Sequence, residues 1–136
     1  MKRWKKYLLL FPVGSAGYGL LELLWRGRTH WTMLVAGGMC FLILCRVAEL
    51  GDRWPLLYRA VAGALGITAV ELCFGLVFNR LLGMGIWDYS RQPMNFMGQI
   101  CLGYTVLWGF LTLAVLPVSR LLSELLEQKR KCQGEF

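Results

Sequence analysis

Four apolar runs, at about residues 7–25, 31–50, 56–78 and 94–116, divide the chain, with short polar or turn-forming stretches between them. Each run approaches or exceeds the roughly 20 residues needed to cross a hydrocarbon core as a helix. An open strand in lipid would leave backbone N–H and C=O groups without partners, so helices are expected for all four. After Pro117 the pattern changes. Val118, Leu121, Leu122, Leu125 and Leu126 recur at helical spacing, with Arg120, Glu124, Glu127 and Lys131 on other faces. That spacing predicts an amphipathic helix at about residues 118–131, lying on the cytoplasmic surface or against a partner. Glu127 and Lys131 are placed for an i, i+4 pair. The expected fold is all-α: residues 1–136 form a single transmembrane domain, a four-span helical bundle followed by the amphipathic helix.

Two of the runs share a frame. Gly14-x-x-Gly17-x-x-x-x-Glu22-Leu23 in the first reappears as Gly63-x-x-Gly66-x-x-x-x-Glu71-Leu72 in the third, every matched position 49 residues on. A weaker match links Met33, Gly37 and Cys40 to Met94, Gly98 and Cys101 at an offset of 61. The larger offset implies extra residues in the third loop, roughly Arg80 to Arg91. The bundle is then expected to consist of two parallel-repeat helical hairpins, whose shared interface is a usual place for a substrate site.

Composition agrees with a membrane protein, since 57% of residues are hydrophobic and only 17% charged. The N-terminal run has a basic flank but lacks a small-residue cleavage site, so it is read as a retained first span and not as a signal peptide. The net charge of +7 does not point to nucleic acid, because its distribution is topological. Eleven Lys/Arg fall in the N-terminal segment (Lys2, Arg3, Lys5, Lys6), the second loop region (Arg46, Arg53, Arg59) and the C-terminal segment (Arg120, Lys129, Arg130, Lys131). Four (Arg26, Arg28, Arg80, Arg91) fall on the other side. The positive-inside rule then places both termini in the cytoplasm, in a multi-pass protein of the cytoplasmic membrane. The five cysteines show no CxxC or CxxH spacing, and four lie within spans; apolar packing is expected, with no structural disulfide, metal site or cofactor.

Candidate chemistry centres on Glu22 and Glu71, since a carboxylate in a span costs roughly 2.5–3.5 kcal/mol on insertion scales. Ser15, Gly19 and Arg26 share the Glu22 face, and Ala64, Thr68 and Gly75 share that of Glu71. Small neighbours mark helix contact surfaces, so both acids are expected to point into the bundle. Each lies roughly 22 Å beyond the cytoplasmic start of its span, which is the outer leaflet. Two readings stand. Both acids are structural, with Glu22 paired to Arg26, or they form an outward-facing site for a cation, proton or polar headgroup. The third loop concentrates further polar groups in Trp87-Asp88-Tyr89-Ser90. Asp88 or Ser90 is placed to start a short helix or cap the fourth span, and the loop is either an interfacial anchor with a turn or a lid whose Asp88, Tyr89 and Ser90 contact a bound molecule. Asn95 and Gln99, four apart, are expected to share a face of the fourth span, as interhelical glue or pocket lining. His30 reads as an interface residue.

The stretch Trp87-Asp88-Tyr89-Ser90-x-x-Pro93-x-Asn95-x-x-Gly98-x-Ile100, together with Gly17 and Glu22, resembles the bacterial ABC-transporter permease type IV (CmpB) family over about residues 10–115. The resemblance implies a small multispan membrane protein and carries no catalytic residues over. A permease usually has more spans and a coupling helix, whereas this chain has four spans, no Walker motif and a second loop too short for an obvious coupling element, so a homo-oligomer would add spans and the resemblance implies a separate ATPase partner. The leading expectation is a transporter or permease-like subunit binding a small cationic or protonatable solute. The alternative is a non-transporting scaffold that holds lipid or a partner protein. An enzyme is not expected, because no histidine base or metal cluster accompanies the hydroxyls of the third loop.

Overall fold

The computed structural model describes residues 3–134, apart from the side chain of Asp52. Lys2, counted above with the N-terminal charges, lies outside them. Helix α1 spans Arg3–Arg26, α2 Trp31–Glu49 and α3 Leu56–Phe74, which runs on as a wider π-helical stretch over Gly75–Leu81. A segment containing two short strands follows, β1 (Asn95–Phe96) and β2 (Ile100–Cys101), and then α4 (Leu102–Cys132). The result is an α-helical bundle whose four long helices have the length and apolarity to cross a membrane. His30 caps α2, its ring accepting the Thr32 N–H.

Two features depart from the pattern read in the sequence. The fourth helix begins at Leu102, not near Met94. Residues 95–101 form an antiparallel hairpin, Asn95 opposite Cys101 and Phe96 opposite Ile100. Met94 and Met97 hold φ of 55° and 56°, and Gly98 72°, values a right-handed helix does not admit. The Asn95 side chain closes the turn, accepting the Gly98 N–H and donating to the carbonyls of Ser90 and Gln92. Asn95 and Gln99 therefore share no helix face. Met94, Gly98 and Cys101 lie in this segment while Met33, Gly37 and Cys40 lie on α2, so the weaker match has no structural counterpart.

The second departure is at Pro117, which interrupts nothing: α4 runs through it to Cys132, and residues 118–131 extend a span instead of forming a separate helix. Proline lacks an N–H and frees one carbonyl, a loss that a membrane helix tolerates. Glu127, expected to pair with Lys131, instead reaches Lys6 on α1 at 3.7 Å.

Helix α2 is the hub. It buries Met33, Ala36, Gly37, Phe41, Leu44 and Cys45, and it touches α1 on one side and α3 and α4 on the other. Glycine at two positions permits the approach: a Cβ on Gly14 would overlap Phe41, and one on Gly63 would overlap Thr112 of α4. Large apolar side chains such as Leu8, Leu24, Leu65 and Phe110 are exposed around the outside, where acyl chains would meet them. The bundle is fastened at the end where both termini lie. There Glu49 accepts from Arg3, Lys6, Tyr7 and Arg46, at 2.7–3.4 Å.

Candidate functional site

The two matched glutamates sit in different surroundings. Glu22, one turn from the end of α1, is 6% exposed and accepts from Arg26 at 2.8 Å. The same guanidinium donates to the Ile86 carbonyl at 2.9 Å, so the pair ties α1 to the segment between α3 and α4. Glu71, on α3, is half-buried and accepts the Trp108 indole N–H of α4 at 2.8 Å, with the Tyr89 hydroxyl beside it. Among the described residues no lysine or arginine forms an ion pair with Glu71. Tyr18 lies between them, within the field of both carboxylates.

Glu71 opens onto an almost wholly apolar cavity of about 240 Å³. Tyr18, Trp87 and Trp108 stand with it, and Cys40 and Gly37 form part of the floor on α2. Gly37 is glycine because the Tyr18 ring lies against it: an added Cβ would stand 2.5 Å from the Tyr18 Cβ. Glu22 does not line this space. It borders a second cavity with Arg26, Arg28 and His30.

The third-loop residues divide in the same way. Trp87 is buried, lines the Glu71 cavity and donates its indole N–H to the Gln99 carbonyl at 3.0 Å. Tyr89 is half-buried and stacks on Tyr104 of α4, with ring centroids 4.8 Å apart. Burial pushes its phenol above the ordinary tyrosine range, and the neighbouring carboxylate adds to the effect. Asp88 and Ser90 are exposed and face each other: the Ser90 N–H donates to Asp88 at 2.9 Å, holding that carboxyl below the usual range. Asp88 thus closes a turn and caps no helix; Cys101 occupies the N-cap of α4 with no side-chain cap. Gln99 is 5% exposed, and its amide is satisfied by Asn79 and the Met97 carbonyl, against Gly75.

Of the sequence candidates, Glu71 and Tyr89 come together. Glu22 and Arg26 pair near the loop, and Asp88, Ser90, Asn95 and Gln99 build the loop itself. Sequence reading missed Tyr18, Trp108 and Asn79. Tyr18 carried a signal, four residues before Glu22 and on its face. Trp108 carried a weaker one, an indole N–H well inside a span that needs an acceptor. Asn79 accepts the Ile86 N–H at 2.6 Å and donates to Gln99, an alignment that follows from the π-helical turn and has no sequence signature.

The family described as "Putative ABC-transporter type IV" matches residues 11–132 of the chain. No solved structure matches it.

Proposed function

The chain belongs to the ABC-transporter type IV (CmpB) family, and from that premise we propose that it is a permease-like membrane subunit that binds a small cationic or protonatable solute at Glu71. Members of this family are non-catalytic transport subunits, and the four long apolar helices suit a multi-pass membrane protein. One observation supports the site: Glu71 is a cavity-lining carboxylate with only neutral hydrogen-bond donors around it. A carboxylate within a span is costly, and a bound cation or proton is the simplest way to offset its charge. Glu22 already has Arg26 and serves to hold the third loop.

The matched frames on α1 and α3 favour an ancestral repeat confined to those two helices, with the acids taking separate roles. Both termini face the cytoplasm, in keeping with the basic residues gathered at their end. Four helices leave little room for an aqueous path, so a second copy or another subunit completes it, and a partner ATPase supplies the energy.

The test uses purified protein and tetramethylammonium as probe, read by tryptophan fluorescence, since Trp87 and Trp108 border the site. Saturable binding is expected in the wild type and in Glu22→Gln. In Glu71→Gln it should weaken about thirtyfold or more, the cost of removing one member of a desolvated charge pair. Equal binding by Glu71→Gln, with its melting temperature intact, overturns the assignment.

A further inference from the structure

The cavity that Glu71 lines is itself a long groove, with Glu71 at one end. On α1, Val13, Gly17 and Leu21 recur every four residues along one wall, and all three are exposed. On α4, Val115, Val118 and Leu122 form the opposite wall, with α2 as the floor. Helix α1 packs chiefly on α2 and α3 chiefly on α4, so the groove lies where α1 and α4 diverge and opens sideways. From Trp108 to Leu122 it follows α4 for roughly 21 Å. In a bilayer that opening faces acyl chains. The groove therefore has a polar end with an uncompensated carboxylate beside Tyr18, Trp87 and Trp108, and a long apolar remainder.

We infer that the groove takes a single-chain cationic amphiphile directly from the bilayer, its ammonium head at Glu71 and its alkyl chain between α1 and α4. This rests on the reading of Glu71 as a cation site and adds the class of molecule. Charge complementarity selects the head: among the described residues Glu71 has no cationic partner, and three aromatic rings beside it suit a quaternary ammonium. An anionic head would meet the carboxylate and be repelled. The apolar walls select the tail, because they offer a hydrophilic solute nothing along most of their length. Sideways opening follows from the exposure of Val13, Gly17 and Leu21, which leaves the mouth unroofed by protein.

Gly17 gives a clean probe, since a Cβ there would meet nothing within 4 Å. Gly17→Leu is expected to fold and to fill the groove, and Val118→Phe fills it from the other wall. Native mass spectrometry of the protein in a neutral detergent would compare dodecyltrimethylammonium, dodecyl sulfate and tetramethylammonium. In the wild type, dodecyltrimethylammonium should bind roughly tenfold or more tighter than either of the others, because tetramethylammonium lacks the tail that fills the groove and dodecyl sulfate carries the wrong charge for Glu71. Gly17→Leu and Val118→Phe should remove that advantage and leave tetramethylammonium binding unchanged, while Glu71→Gln weakens both cations. If tetramethylammonium binds as tightly as the long-chain cation, or if both groove-filling variants keep the preference, the amphiphile inference fails and the cation site stands. Equal binding of dodecyl sulfate makes the groove a charge-blind apolar slot and also overturns it. Cation binding that ignores Glu71→Gln removes the underlying reading as well.

Discussion

Glu22 and Glu71 are the same residue type in the same short frame, and what distinguishes them is who stands opposite. Arg26 is one turn from Glu22 and holds it at 2.8 Å, while Glu71 has the neutral Trp108. Glu22→Gln should therefore cost stability: a mostly buried guanidinium loses its counter-charge but keeps the Ile86 carbonyl and gains an amide. A loss of about 1–3 kcal/mol is expected, read as a lowered melting temperature in detergent. Asp88 gives a pH-dependent case. Its carboxyl is held below the ordinary range by the Ser90 N–H, so the charged form is favoured in the folded state. The turn's stabilisation is then fully present above the unfolded aspartate value, about 3.9, and is lost as pH falls through the lower folded value. The Ser90 amide resonance should hold its position down to that range and then shift. Asp88→Asn keeps an acceptor and should abolish the acid transition.

At the scale of elements, helix contacts depend on a few glycines that differ in what surrounds them. Gly14 lies on Phe41 and Gly63 on Thr112, whereas Gly17 has open space. Gly14→Ala and Gly63→Ala should each destabilise by about 1–3 kcal/mol through overpacking. Gly17→Ala should be neutral or slightly stabilising, since alanine is the better helix former by about 1 kcal/mol. Thermal unfolding of the three variants side by side checks this. The same elements show what the sequence made legible. The first three helices were readable because apolar runs of sufficient length permit no other structure in lipid. The start of α4 was not, because Met94 and Met97 adopt left-handed φ without being Gly, Asn or Asp, and Asn95 and Gln99 happen to stand four apart. Their amides in fact satisfy loop carbonyls and Asn79. Residues 118–131 were legible as a helix from their spacing, but spacing alone does not distinguish a separate helix from one that runs on through Pro117.

Taken as a whole, the molecule is fastened at one end by charge and at the other by a folded-in loop. The Glu49 cluster at the terminal end was hidden in the sequence, since Arg3, Lys6, Tyr7 and Glu49 converge only once α1 and α2 are antiparallel. Glu22 and Glu71 were found as intramembrane acids, but their opposite circumstances depend on Trp108 and Tyr18, which neighbouring helices deliver. If the basic end faces the cytoplasm, Cys132, exposed near the end of α4, should react with a membrane-impermeant maleimide in inside-out vesicles and not in intact cells. Labelling in intact cells would reverse the orientation.

The claim that Glu71 is the open carboxylate is tested most directly by a hydrophobic carbodiimide, which modifies carboxyl groups reachable from the bilayer, followed by peptide mass spectrometry. Modification is expected at Glu71, with little at the Arg26-paired Glu22, and tetramethylammonium or dodecyltrimethylammonium should protect it. Modification at Glu22 with Glu71 untouched, or at Glu71 with no protection by either cation, would contradict the account.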